Sequence, residues 1–259
     1  MTKLALAVAA VLLPALPALA EGDAASQIQK QLGVPGRLVA AYEVKPAKDA
    51  GKLTGKVTLA GAIPEVPPLK RTKDAATCGA NGADETLVLG PAGEVANAIV
   101  TVEAPSGKKL ELPKDASLDQ KGCTYVPHVQ ALPVGTPLAL LNSDPVLHNA
   151  HGYREDTTVF NQAQPLQDRP GFPHKTIPLK SPGLLKVKCD VHGWMTAYIY
   201  VSENPYFAVT GKDGSFSIDG LPPGTYTVKV WHERLAPTEQ KVTIPAGGAA
   251  KADFKLAQK

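Results

Sequence analysis

The chain has 259 residues, with 27 Lys and Arg against 24 Asp and Glu, 24 Pro, 23 Gly and three Cys. That near balance of charge, with no basic run, excludes nucleic acid as a partner. The length allows one large or two modest domains, and many Pro and Gly with few long helical periodicities favour an all-β architecture of short strands and turns.

Residues 1–20 have the layout of a secretory signal peptide. Lys3 supplies the positive start, Leu4 to Leu16 the apolar run, and Ala18-Leu19-Ala20 the small-x-small cleavage site. Pro14 and Pro17 interrupt the run, which is too short to span a bilayer securely; a retained anchor is the other reading. Loss of Lys3 leaves 26 basic residues against 24 acidic ones, and no other long apolar run follows. The mature protein is expected in a periplasm, with no membrane insertion after signal cleavage.

Residues 21–52 read as an N-terminal helix and an edge segment. Asp23 or Ser26 can cap the helix, Ile28 and Leu32 lie four apart, and Gly33 ends it. Arg37 to Val44 is a candidate edge strand, and Lys45 to Lys52 a polar turn. From Leu53 the hydrophobic period becomes two, and Lys52 to Ala60 alternates as a half-buried strand. Glu85 to Leu89, Ala96 to Glu103, Lys109 to Leu112, Thr124 to Val129 and Pro137 to Leu141 are further strand candidates. Asn142-Ser-Asp-Pro145 is a turn signal leading to His148, and Arg154 to Lys180 reads as a long irregular loop with short edge pieces. Strands at Gly183 to Cys189 and Ala197 to Val201 close a domain assigned to residues 53–203. Residues 204–259 then read as a small β-sandwich, with a hairpin turn at Lys212-Asp213-Gly214 and a strongly alternating strand at Tyr226 to Trp231. A sandwich of that size is marginal alone.

The chemistry concentrates in KCDVHGWM, Lys188 to Met195, which places Cys189, His192 and Met195 at Cys-x2-His-x2-Met spacing between two strands. On the strand leading in, Leu185, Val187 and Cys189 share one face while Lys186 and Lys188 share the other, so the thiol is delivered to the interior. A thiolate, an imidazole and a thioether on one tight loop suit a mononuclear copper that cycles between Cu(I) and Cu(II). His148 is the best candidate for the second imidazole. Asn149 is placed to tie the two ligand loops together, with a hydrogen bond toward the thiolate, and Trp194 with Pro145, Val146 and Leu147 would form an apolar collar. Ordinary core packing is the other role open to Trp194. Cys78 and Cys123 lie on turn-rich stretches without ligand-like neighbours and pair as a structural disulfide, worth about 4 kcal/mol in the chain-entropy model, unless both remain free thiols.

At these residues the chain resembles the cupredoxins, the small blue-copper proteins, and the ligand loop looks most like that of amicyanin. The resemblance implies a Greek-key cupredoxin barrel or sandwich over about residues 85–203. It implies one type 1 copper with His148, Cys189 and His192 as strong ligands and Met195 axial. It also implies that electrons pass through His192 at the solvent edge. The partner would be a redox protein such as a c-type cytochrome or a periplasmic dehydrogenase, with no substrate transformed and no enzyme activity. DGSFSIDGLPPGTYTVKVWHE, Asp213 to Glu233, resembles the carboxypeptidase regulatory-like, transthyretin-like β-sandwich. The two modules together resemble exported bacterial proteins of the methylamine-utilisation-like kind.

Other readings stay open. His151 suits a polar rim, while His128, His174 and His232 are scattered and would have to converge to hold a second metal. Zinc competes for a Cys-plus-two-His set, although Met195 adds nothing that zinc needs. A copper carrier or buffer, or an envelope interaction protein without a redox cycle, would use the same residues differently. No nucleophile elbow or phosphate loop stands out.

Overall fold

The computed structural model describes residues 42–165 and 175–259. The expected signal peptide, the expected helix at 21–33, most of the Arg37 to Val44 strand candidate and His174 lie outside the described residues. The described residues are nearly all β, as composition implies. In chain order the strands are β1 Glu43–Val44, β2 Gly51–Leu59, β3 Leu69–Lys70, β4 Asn81–Gly82, β5 Ile99–Val102, β6 Ser106–Gly107 and β7 Ser117–Lys121. Next come β8 Thr124–Val126, β9 Val129–Pro133, β10 Pro137–Asn142, β11 His148–Arg154, β12 Thr157–Gln164, β13 Lys175–Pro178 and β14 Gly183–Lys188. The last are β15 Thr196–Ser202, β16 Phe207–Val209, β17 Ser215–Leu221, β18 Gly224–Trp231, β19 Thr238–Ile244, β20 Ala249–Lys251 and β21 Phe254–Leu256. One helical turn, α1 Ala75–Cys78, precedes β4.

The longer strands build two sandwiches of open sheets, without closure into a barrel. In the first, the sheet β13-β10-β7-β8 faces the sheet β12-β11-β14-β15-β9. Their shared core holds Leu118, Leu140, Leu185, Val187 and Ile199, each at most 1% exposed. In the second, β16-β5-β18-β19 faces a sheet in which β2 lies between β17 and β20, with β21 also on β2. Leu53, Val57, Val100, Val228 and Leu256 fill that core. Burying each such side chain stabilises the fold by roughly 1.5–3 kcal/mol.

The domain boundaries differ from those expected. β2 does alternate, burying Gly51, Leu53, Gly55, Val57 and Leu59, but it belongs to the second sandwich. It pairs antiparallel with β17, Leu53 opposite Ile218, and parallel with β20 and β21. β5 pairs with β16 and β18 in the same sandwich. The first sandwich is therefore inserted between β5 and β16, and residues 53–203 are not one domain. Period-two alternation identifies a strand and its buried face; it carries no information about a partner some 160 residues away. Gly55 shows how close the fit is, because a Cβ there would lie 1.8 Å from the Ala252 carbonyl oxygen.

Several local expectations also change. Glu85 to Leu89 and Lys109 to Leu112 are not strands, apart from a bridge between Leu89 and Val95. Thr124 to Val129 splits into β8 and β9 at the cis Val126-Pro127 bond. In the stretch read as loop with short edge pieces, β12 and β13 are sheet-edge strands, and β12 runs for eight residues, hairpinned onto β11 through Glu155.

The two sandwiches meet through β15 and β18, where the rings of Tyr198 and Trp231 lie 5.1 Å apart. Beside them His128 is bonded to Glu233 in a buried ion pair. Burial opposes charge on His128, but the Glu233 bond outweighs it and raises its pKa. His232, 1% exposed, is pushed down to about 4 by burial, with His128 and Lys259 adding to the effect.

Two outcomes follow. Residues 204–259 alone lack an internal strand from each sheet of the second sandwich, so the isolated fragment should show no β signal by circular dichroism and be digested rapidly, while residues 42–259 resist; a folded fragment would contradict the pairing. His232 also binds protons more readily unfolded than folded. Its stabilising contribution is therefore full above about pH 6.5 and is lost as pH falls toward 4. In urea unfolding at pH 4.5 against pH 7, His232→Gln should recover roughly 2 to 3 kcal/mol of the acid-side loss; identical acid slopes would contradict the assignment.

Candidate metal centre

β14 delivers Cys189 as expected. Leu185, Val187 and Cys189 are at most 1% exposed, while Lys186 and Lys188 face solvent. The loop from Cys189 to Met195 then folds back on itself. The Met195 N–H donates to the His192 carbonyl at 2.9 Å, and the Cys189 N–H to the Met195 carbonyl at 3.3 Å. The His192 N–H points at the Cys189 sulfur, 3.4 Å away. Met195 is 1% exposed and shares the core of the first sandwich with Cys189.

His148 opens β11, whose antiparallel register sets His151 opposite Lys188 and leads Asn149 toward Asp190. The Asn149 Oδ1 accepts from the Asp190 N–H at 2.6 Å, and its Nδ2 donates to the Asp190 carboxylate at 2.7 Å. Asn149 therefore ties the loop that carries His148 to the loop that carries Cys189 and His192. Its amide is spent on Asp190, however, and the N–H aimed at the sulfur is that of His192.

These elements bring three donors together. The Cys189 sulfur lies 3.9 Å from Nδ1 of His148 and 3.8 Å from Nδ1 of His192. The two Nδ1 atoms are 2.9 Å apart. Each ring is held from behind. Nε2 of His148 meets Oδ2 of Asp144 at 3.0 Å, and Nε2 of His192 meets Oδ2 of Asp74 at 2.9 Å. A ring that donates its Nε2 proton to a carboxylate presents a lone pair at Nδ1. Two such lone pairs facing each other at 2.9 Å repel unless a cation or a proton lies between them. Burial, the largest influence, holds His148 below the usual imidazole range against the upward pull of Asp144. Burial thus favours the neutral imidazole, the form that binds metal.

The donor set fits a small first-row ion. Bonds of about 2.0 Å to nitrogen and about 2.3 Å to sulfur at trigonal angles separate S from N by about 3.8 Å, which the two sulfur–nitrogen distances match, while two nitrogens so bound lie about 3.5 Å apart, so the 2.9 Å nitrogen pair would open by about half an ångström on binding. Among the described residues, the other group of metal-capable side chains is Cys123, Asp144 and His148. Its sulfur is engaged, because Cys123 is bonded to Cys78 in the disulfide expected from the sequence.

Trp194 is half-buried. Its ring centre is 5.0 Å from that of His192 and its Nε1 donates to the Cys123 carbonyl at 3.1 Å. The collar is incomplete, since Leu147 is 45% exposed. His192 does not lie at the solvent edge: it is 0% exposed, with Asp74 and Trp194 against it. His151 sits at the rim, stacked on Tyr153 and bonded to Asp190. His128 and His232 lie at the junction of the sandwiches and join no metal-capable group among the described residues. No helix among them is long and apolar enough to cross a membrane.

Sequence reasoning missed the two carboxylates. Asp144 lies four residues before His148, in the same turn, so its spacing was a usable signal. Asp74 is 118 residues from His192, and nothing local marks it.

A family model described as the carboxypeptidase regulatory-like domain matches residues 196–257, which spans β15 to β21. No curated protein matches the chain. Among solved structures, the copper-containing nitrite reductase of Thermus scotoductus SA-01 is similar over 38% of this chain at 23% identity and a TM-score of 0.30. The similarity spans 24% of that chain, about a quarter of its length. A purple cupredoxin from Nitrosopumilus maritimus is similar over 34% of this chain and 100% of its own, at 23% identity and a TM-score of 0.29. Amicyanin from Paracoccus versutus (Thiobacillus versutus) is similar over 40% of this chain and 97% of its own, at 13% identity and a TM-score of 0.30. Likenesses this distant leave the centre to be judged on its own geometry.

Proposed function

We propose that the chain is an exported, periplasmic electron-transfer protein of cupredoxin type, with one type 1 copper held by His148, Cys189 and His192 and weakly by Met195. The observation that supports this most is the convergence of one sulfur and two Nδ1 atoms, all within 4.8 Å of one another and all buried. A copper ion held there supplies a one-electron couple between Cu(I) and Cu(II). The chain's part is to hold the donors still. Cys189 provides the sulfur, the two imidazoles turn Nδ1 inward with a carboxylate behind each Nε2, and the Asn149–Asp190 pair fixes the two loops against each other. Fixed donors keep the ligand geometry alike in both oxidation states, which favours electron passage over chemistry on a substrate. In this reading the protein is not an enzyme, and its partner is another redox protein such as a c-type cytochrome or a periplasmic dehydrogenase. Copper carriage is less well supported, because His148, Cys189 and His192 are at most 1% exposed and a delivery site must release its metal to a receiver.

Cu(II) added to the reduced-thiol apoprotein should give an intense visible band that ascorbate bleaches and oxidation restores. Cys189→Ser should abolish the band with unchanged far-ultraviolet circular dichroism. Met195→Leu should keep copper and shift the reduction potential. Colourless uptake stripped readily by a chelator would favour carriage, and an unchanged band in Cys189→Ser would overturn the ligand assignment.

A further inference from the structure

We propose that Asp74 is a positioning residue that closes the outer edge of the centre by capturing Nε2 of His192, and that the Cys78–Cys123 bond frames it together with Asp144. The inference rests on the copper reading above for its consequences, but its geometry stands apart from it.

Asp74 stands at the N-cap of α1, where an aspartate ordinarily accepts a hydrogen bond from its own helix. Here it makes no side-chain cap bond, sits in the left-handed region at φ 48°, and sends its carboxylate to His192 instead. Aspartate is among the few residue types that adopt this conformation readily. Three residues after Ala75, α1 ends at Cys78, which is bonded to Cys123. On the other side of that bond, the Gly122 and Cys123 N–H groups each donate to Asp144 at 2.7 Å, and Asp144 holds His148. Arg71 braces the same junction through the Cys78 and Gly122 carbonyls. Both imidazoles are thus backed by carboxylates, one four residues before Cys78 and the other hydrogen-bonded to the Gly122 and Cys123 backbone across the disulfide.

Two effects follow. A carboxylate behind a ligating imidazole fixes its tautomer and increases its basicity, and two such anions favour the more highly charged state of the metal. In addition, the Asp74 side chain is 39% exposed while that of His192 is 0% exposed, so Asp74 stands between the ring and solvent.

The test uses the full mature chain, with Asp74→Asn to remove charge, Asp74→Ala to remove charge and acceptor, and Asp156→Asn, an exposed hairpin residue, as control. By competition against a chromophoric chelator, Asp74→Ala should lose roughly 10- to 100-fold in Cu(II) affinity, with a smaller loss for Cu(I). Asp74→Asn should fall between it and the wild type. Voltammetry should place the potential of both variants above that of the wild type and of Asp156→Asn. In the apoprotein, nitrogen-resolved NMR should show a slowly exchanging Nε2 proton on His192 in the wild type and Asp156→Asn, and not in Asp74→Ala. Wild-type affinity and potential in both Asp74 variants would overturn the proposal while leaving the copper reading intact. If the wild type takes up no copper, the copper reading fails; the apoprotein resonance then decides whether Asp74 captures His192, its presence supporting the capture and its absence overturning it.

Discussion

Two imidazole nitrogens lie 2.9 Å apart beside a buried thiol, and each ring has a carboxylate behind it. That arrangement is unfavourable unless positive charge occupies the middle, because both inward-facing nitrogens carry lone pairs when their Nε2 protons are donated outward. Much of the surrounding structure serves to hold it. β14 carries the thiol inward, the short loop returns His192 to the same point, and β11 supplies His148 at its first residue. The first sandwich is a rigid mount for three atoms.

The mount is held from outside by segments that are not strands. Asp144 is buried and fixed by two backbone N–H groups, and Asp74 comes from the turn before β4. The disulfide ties the Asp74 turn to the Gly122–Cys123 backbone that holds Asp144, and the Trp194 indole bonds to the same Cys123 backbone while packing on His192. The sheets place the donors; these outer groups set their tautomers and their access to water. On the far side, β15 connects the centre to the second sandwich through the Tyr198–Trp231 contact and the His128–Glu233 pair. The junction is therefore partly ionic, and its strength depends on pH.

Legibility in the sequence followed the range of the interactions. Cys189, His192 and Met195 were legible because they share one loop, and the strand before them announces its buried face by alternation. His148 was legible from its neighbours. The partners of β2 and β5 were not, because alternation says nothing about which distant strand completes a sheet. β7 was missed because its inward residues include Gln120, fully buried but polar. β12 was legible only as a short edge piece because the prolines from Pro165 onward coloured the whole stretch, although the eight-residue strand ends before the first of them. Asp74 left no local trace, since its role arises from a contact across 118 positions.

The central claim is that one sulfur and two Nδ1 atoms bind a single copper ion. X-ray absorption at the copper edge of the metal-loaded protein tests it most directly. One short copper–sulfur shell and two nitrogen shells, with the sulfur shell lost in Cys189→Ala, is the predicted result. A first shell of oxygen and nitrogen alone in the wild type would contradict the account.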